Sequence, residues 1–172
     1  MLRPSNLQFL FLLTLPFLVH ASFAATPEVT ARHLVIDPVI DGDVIGDNAW
    51  FGAVPATGFR QVQPKEGQPS SQKTEVFIGY SDTALYIGVI AYDDNPSGII
   101  VNDSRRDSSL DNTDAFLVII DGLLDRQNGF IFGTNAASIE YDAQVTKEGS
   151  EDYNAAGGTF NLNWDSSWTV KS

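Results

Sequence analysis

Two tryptophans near the end of the chain have the residue type and spacing of a sugar-binding platform. Trp164 and Trp168 follow an acidic, glycine-rich loop at residues 149–163. A spacing of four along an extended segment points both rings to the same side. Indole rings stack on the apolar faces of sugars, and the amides of Asn161 and Asn163 are suited to bind hydroxyl groups. Burial of both rings in a hydrophobic core is the alternative that these residue types leave open.

A pair of arginines among acidic residues is a second candidate for contact with a sugar. Arg105 and Arg106 precede Asp107 and lie close in sequence to Asp111 and Asp114. Guanidinium groups donate hydrogen bonds to hydroxyl groups, but they also form ion-pair networks that only hold a fold together. Both interpretations stay open, and the density of aspartates favours the structural network.

Aspartates in the predicted loops form a candidate metal site. Asp93 and Asp94 are one pair, and Asp111 and Asp114 lie in a second acidic stretch. Calcium takes about six to eight oxygen ligands, often from Asp side chains and loop carbonyls. These four residues are therefore predicted calcium ligands, and the alternative is that they are solvated aspartates in turns.

The sequence offers no catalytic constellation beyond scattered carboxylates. His33 is the single histidine after residue 24, which excludes the usual His-rich zinc sites. We find no phosphate-binding glycine loop and no nucleophile-elbow motif. Two carboxylates suffice for a glycosidase, so hydrolysis of O-glycosyl bonds stays an alternative. No carboxylate pair stands out, and no catalytic residue is predicted.

Residues 1–24 are predicted to be a cleaved signal peptide. Arg3 gives a positive start, residues 7–19 are almost wholly apolar, and Ser22 and Ala24 fit the small-residue positions before the cut. Residues 25–172 then form one domain, large enough to bury a core. We expect the protein in the periplasm, at the outer membrane or outside the cell. Its formal net charge of −12 argues against nucleic acid as a partner.

Hydrophobic alternation predicts an all-β fold, specifically an antiparallel, jelly-roll-like β-sandwich. Residues 73–80 and 84–92 alternate on either side of a turn-like stretch at 81–83, which predicts a hairpin. Residues 116–120 are an unbroken apolar run, typical of a central strand buried on both faces. Residues 139–146 alternate apolar and polar side chains, which predicts a half-exposed strand with one wet face.

Two shorter features complete the predicted architecture. A helical turn at residues 47–50 has Asp47 as its N-cap, and Trp50 is predicted to plug the core. Residues 168–172 look like a strand in mid-course. The predicted sandwich is therefore incomplete at its C-terminus.

Several phrases in a shared order resemble the family 9 carbohydrate-binding modules. They are IDG at 40–42, DNAW at 47–50, ALYIGV at 84–89, DNTDAF at 111–116 and ID at 120–121. Modules of that family are calcium-containing β-sandwiches, often attached to xylanases, in which two Trp rings sandwich a terminal sugar. The resemblance therefore implies a bound calcium and a sugar ligand.

A narrower resemblance covers most of residues 34–170. FRQVQP at 59–64, SRRD at 104–107, DRQNGF at 125–130 and residues 160–168 are similar to the N-terminal module of large exported bacterial proteins of unknown function. There, a region resembling an outer-membrane barrel follows the module. The leading hypothesis is a non-catalytic domain that binds a polysaccharide or oligosaccharide and serves polysaccharide breakdown. The alternatives are a structural domain of an outer-membrane protein without sugar affinity, and part of a glycoside hydrolase.

Overall fold

The computed structural model describes residues 28–146 and 160–172. The predicted signal peptide and its cut after Ala24 lie outside the described residues, as does most of the glycine-rich loop at 149–163. None of the helices within the described ranges is long and apolar enough to cross a membrane.

The described residues form seven strands in two sheets. The first sheet has the order β1-β2-β3, and the second has the order β4-β5-β6-β7. All neighbouring strands are antiparallel except β1 and β2, which are parallel. The strands are β1 (Arg32–His33), β2 (Thr74–Tyr80), β3 (Leu85–Ala91), β4 (Ala115–Ile120), β5 (Gly129–Asn135), β6 (Tyr141–Val145) and β7 (Phe160–Asn161). The all-β prediction is confirmed, and the face-to-face packing of a sandwich stays a prediction.

The predicted hairpin is formed by β2 and β3. Their register pairs Thr74 with Ala91 and Tyr80 with Leu85. The turn closes where the backbone N–H of Ser81 donates to the carbonyl of Ala84 at 2.9 Å. The alternation of apolar residues and the turn residues between them were sufficient to locate this element.

A short 3-10 helix places a tryptophan against the first sheet. The helix spans Asn48–Trp50, and the Asp47 carboxylate accepts the backbone N–H of Ala49 at 2.8 Å, as predicted for an N-cap. Trp50 is only 8% exposed, and its ring centroid lies 5.8 Å from that of Phe77. Gly88 leaves room for the indole, because a Cβ there would lie 3.0 Å from the Trp50 ring. The prediction that Trp50 plugs the core is confirmed.

The second sheet corrects two predictions about its strands. β4 was predicted to be a central strand buried on both faces, but it lies at an edge of the sheet, with Leu117 49% and Ile119 65% exposed. β6 was predicted to have one wet face, and Glu140, Gln144 and Thr146 on that face are partly exposed, but Asp142 there is 1% exposed. The side-chain pattern of a single strand does not predict these burial differences. Burial also depends on which other segments of the chain cover the strand.

The apolar face of β6 agrees with its prediction. Ala143 and Val145 are buried with Ile131 of β5 in one core cluster, against which Tyr141 and Phe160 pack. Ile139, just before the strand, is also buried. The predicted strand at residues 168–172 is wrong, since the described C-terminal segment from Leu162 to Ser172 has no strand pairing.

We expect Trp50→Ala to lower the free energy of unfolding by about 3–5 kcal/mol, because it leaves a cavity against Phe77 and Gly88. The matched control is the neighbouring Phe51→Ala, since Phe51 is 85% exposed and its loss should change stability by less than about 0.5 kcal/mol. Urea denaturation followed by far-UV circular dichroism measures both. Equal stability of the two variants would contradict the core position of Trp50.

Candidate ligand-binding site

Four aromatic rings form a cluster on one face of the second sheet. Phe130 and Phe132 alternate with Ile131 along β5, so they lie on the face opposite the core cluster. Trp164 stacks on Phe130, with ring centroids 4.6 Å apart and planes 27° apart. Trp168 contacts Phe132 edge-on at 5.3 Å. We call Phe130, Phe132, Trp164 and Trp168 the aromatic cluster.

The two tryptophans share a side, as their spacing predicted. Both contact Phe132, because Trp164 also meets that ring edge-on at 6.0 Å. Each indole is half-buried, so the two predicted alternatives of core burial and ligand stacking are not exclusive here. The indole N–H of Trp168 is buried and has no acceptor among the described residues.

The two predicted asparagines lie at the start of the same segment. Asn161 ends β7, and its side-chain oxygen accepts the backbone N–H of Asn163 at 3.1 Å. Both residues are exposed. The carbonyl of Asn161 also accepts the backbone N–H of Trp164 at 3.4 Å, which ties this turn to the aromatic cluster.

Arg106 lies at the centre of four carboxylates drawn from three segments of the chain. Its Nη2 donates to Asp142 at 2.7 Å and to Asp165 at 3.1 Å. Its Nη1 donates to Glu140, and its Nε lies 3.4 Å from Asp107. We call Asp107, Glu140, Asp142 and Asp165 the carboxylate cluster.

The carboxylate cluster favours the charged form of Arg106. Burial opposes the charge, but the negative charges of Asp142 and Asp107 outweigh burial and raise the pKa of Arg106 above its ordinary value. The contacts of Arg106 are those of the structural ion-pair network predicted as one alternative. Donation of Arg106 to a sugar hydroxyl stays a prediction.

Asp142 is the buried member of the carboxylate cluster. It pairs in register with Phe132, so its side chain lies on the same sheet face as the aromatic cluster. One oxygen accepts Arg106, and the other accepts the backbone N–H of Ser166 at 2.5 Å. Both oxygens of the buried carboxylate are therefore hydrogen-bonded, as burial of a charge requires.

Three of these carboxylates lie close enough together to be candidate metal ligands. One oxygen each of Asp107, Asp142 and Asp165 lie within 4.8 Å of one another. Sequence reasoning missed Asp142 and Asp165 as possible ligands. Asp142 did not stand out in the sequence, because Glu140, Gln144 and Thr146 are also polar on that face, and the role of Asp142 depends on segments distant in the sequence.

The four predicted calcium ligands are placed elsewhere, and each accepts a hydrogen bond. They do not form a metal-ligating group in the ranges that the structure describes. Asp93 accepts the backbone N–H of Asn95, Asp94 the side chain of Gln72, Asp111 the hydroxyl of Ser109, and Asp114 the backbone N–H of Ile100. These are the contacts of aspartates that cap turns and loops, the predicted alternative.

Arg105 is occupied by a neighbour in sequence. Its Nε and Nη2 donate to both carboxylate oxygens of Asp103, with Nη2–Oδ2 at 2.6 Å. This pairing is the main reason that the pKa of Asp103 is held well below its ordinary value. The predicted contact of Arg105 with a sugar stays a prediction.

Comparisons of the chain with protein-family models, with curated proteins and with solved structures found no match. The resemblance to a carbohydrate-binding family therefore stays a prediction.

We expect Arg105→Gln to raise the pKa of Asp103 toward its ordinary value of about 3.9. Because the folded-state pKa of Asp103 lies below the unfolded one, its contribution to stability is present above pH of about 4 and is lost as the pH falls. The destabilisation of Arg105→Gln relative to wild type should therefore shrink in acid. NMR titration of the side-chain carboxyl carbons measures the pKa, and an unchanged Asp103 titration would contradict the pairing.

Proposed function

We propose that this protein is a non-catalytic carbohydrate-binding domain whose sugar platform is the aromatic cluster. The observation that supports the proposal most is that Trp164 and Trp168 are half-buried on one sheet face, each resting against a phenylalanine of β5. A sugar would stack on the indole surface that the phenylalanines leave uncovered. The ligand is then an oligosaccharide or polysaccharide.

The backing phenylalanines matter because they orient the indoles before a ligand arrives. Phe130 covers one face of Trp164, so this ring has lost its freedom in the unliganded protein. Binding to such a ring has a smaller ordering cost than binding to a freely rotating side chain. Asn161 and Asn163 are exposed next to the platform and supply amide groups for sugar hydroxyls.

A binding role fits the state of the nearby carboxylates better than a hydrolytic one. Asp142, Asp165 and Glu140 are bonded to Arg106, so none of them is a free acid or base beside the platform. A glycosidase needs one protonated and one ionised carboxyl group on opposite sides of the scissile bond. The proposed domain therefore binds polysaccharide for another protein or region that degrades it.

The proposed setting is outside the cytoplasm. The predicted signal peptide and the absence of cysteine are consistent with an exported protein stabilised without disulfides. A periplasmic, outer-membrane or extracellular position would bring the platform to a polysaccharide.

Calcium is the proposed ion for the carboxylate cluster. The salt bridges of the four carboxylates within the described residues all go to Arg106, so one positive charge faces four negative ones. Asp107, Asp142 and Asp165 offer the hard oxygen ligands that calcium prefers. Backbone carbonyls and water would complete the coordination.

We expect calorimetry with xylo- and cello-oligosaccharides to give a dissociation constant in about the micromolar to millimolar range. Trp164→Ala should weaken binding by at least about tenfold, because stacking on the ring is lost. Trp164→Phe retains a ring against Phe130, so its affinity should lie between those of the wild type and Trp164→Ala. Binding should hardly change with salt, since the ligand is neutral.

The matched control for the sugar experiment is Phe51→Ala, which removes an exposed aromatic ring from the other sheet's surroundings. Its affinity should equal that of wild type. The proposal fails if the wild type binds none of these glycans, or if folded Trp164→Ala binds as tightly as wild type.

We expect calcium at about a hundredfold excess over its dissociation constant to stabilise the native state by about 2.7 kcal/mol. This corresponds to a rise in Tm of about 5–10 °C, which a chelator should reverse. Asp165→Asn should abolish the rise, whereas Asp111→Asn should keep it. If Asp111→Asn alone abolished the rise in Tm, the ion would bind at the ligands predicted from the sequence. If calcium raised the Tm of neither the wild type nor any variant, the proposed calcium site would be wrong.

A further inference from the structure

We propose that Arg106 and Asp142 form a clasp that positions both platform tryptophans by fixing the backbone between them. The clasp consists of the hydrogen bonds from Arg106 to Asp142 and Asp165, and from the Ser166 N–H to Asp142. It rests on the proposed function only for its effect on sugar affinity. Its effect on the tryptophans is independent of any ligand.

The C-terminal segment needs such a fixation, because no strand pairing holds it. β7 ends at Asn161, and residues 162–172 make no ladder hydrogen bonds. Between Trp164 and Ser172, the hydrogen bonds in the described structure are those of Asp165 and Ser166. Ser172 is tied separately to Ser138.

The clasp acts at the midpoint between the two rings. Ser166 lies two residues from Trp164 and two residues from Trp168, so one fixed backbone amide sets the side to which both indoles point. A slip by one residue would turn both rings away from Phe130 and Phe132. Ring contacts orient each indole, but they do not fix the register of the backbone, because burial of apolar surface is not directional.

The rings do not supply a polar anchor of their own. The indole N–H of Trp168 is buried without an acceptor among the described residues. Among the described residues, the hydrogen bond nearest to that ring along the chain is the one from the Ser166 N–H to Asp142. Asp142 in turn is fixed by β6 and by Arg106, which donates to its other oxygen.

The geometry requires an arginine rather than any cation. Nη2 reaches Asp142 and Asp165, Nη1 reaches Glu140, and Nε faces Asp107. A lysine ammonium is a single point on a flexible stem and cannot hold these positions together. The contacts of Arg106 in the described structure are with the carboxylate cluster, so for the tryptophans it is a positioning residue.

The test compares Arg106→Lys and Arg106→Gln with the matched control Arg105→Gln, all in the presence of a chelator. Arg105 is the neighbouring arginine, and its ion pair is with Asp103 outside the clasp. Three quantities are measured: hydrogen exchange of the Ser166 amide, near-UV circular dichroism of the tryptophans, and affinity for the oligosaccharides.

Arg106→Lys should raise the exchange rate of the Ser166 amide by about tenfold or more and reduce the near-UV signal, while the far-UV spectrum is retained. The affinity of Arg106→Lys for the oligosaccharides should fall by at least about tenfold. The affinity is measured well below the melting temperature of the variant, where loss of folded protein cannot explain the change. Arg105→Gln should leave the Ser166 exchange rate and the near-UV signal unchanged. Unchanged Ser166 exchange and near-UV signal in folded Arg106→Lys would overturn the clasp.

The wild type supplies a test that needs no variant. Its Ser166 amide should be protected from exchange, whereas the amide of Ser167, which has no hydrogen bond in the described residues, should not be. Equal exchange of the two amides would overturn the clasp even if the Arg106 variants did not fold. A wild type with protected Ser166 that binds no glycan would retain the clasp and remove the proposed function.

Discussion

The buried carboxylate of Asp142 is the constraint on which the candidate site depends. A charge with almost no exposed surface is tolerated only when its oxygens are hydrogen-bonded, and here Arg106 and the Ser166 amide take one oxygen each. These partners lie 36 and 24 residues away in the chain. One side chain on β6 therefore joins the loop before β4 to the C-terminal segment, and the aromatic cluster forms where that segment crosses the sheet.

The two faces of β5 pack against different groups. Ile131 on one face is buried with Ala143 and Val145, a small apolar core that needs no polar contact. Phe130 and Phe132 on the other face receive tryptophans that remain half-exposed. Because strand side chains alternate, a strand that contributes to the core also presents rings on its opposite face at a fixed spacing. Removing Phe132 would therefore affect the platform more directly than the core.

The sequence predicted the elements that depend on interactions between residues close together in the chain. The hairpin of β2 and β3 and the cap formed by Asp47 depend on residues a few positions apart, and the sequence was sufficient for both. The edge position of β4 and the burial of Asp142 depend on which distant segments of the chain lie beside them. An apolar run or an alternation in the sequence does not predict those neighbours. The metal prediction selected aspartates by their density in loops, and it therefore chose residues such as Asp93 and Asp114 whose carboxylates accept nearby backbone amides.

The clasp and the proposed calcium share ligands, so their effects on the platform must be linked. Arg106 already donates to one oxygen of Asp142 and one of Asp165, and Ser166 takes the other oxygen of Asp142. An ion that displaced the guanidinium would free Asp165 from Arg106, while an ion that used the remaining lone pairs would hold Asp165 more firmly. By linkage, an ion that strengthens sugar binding is itself bound more tightly when sugar is present, and one that weakens sugar binding is bound less tightly. The sign of that coupling follows from whether Arg106 stays in the carboxylate cluster when the ion binds.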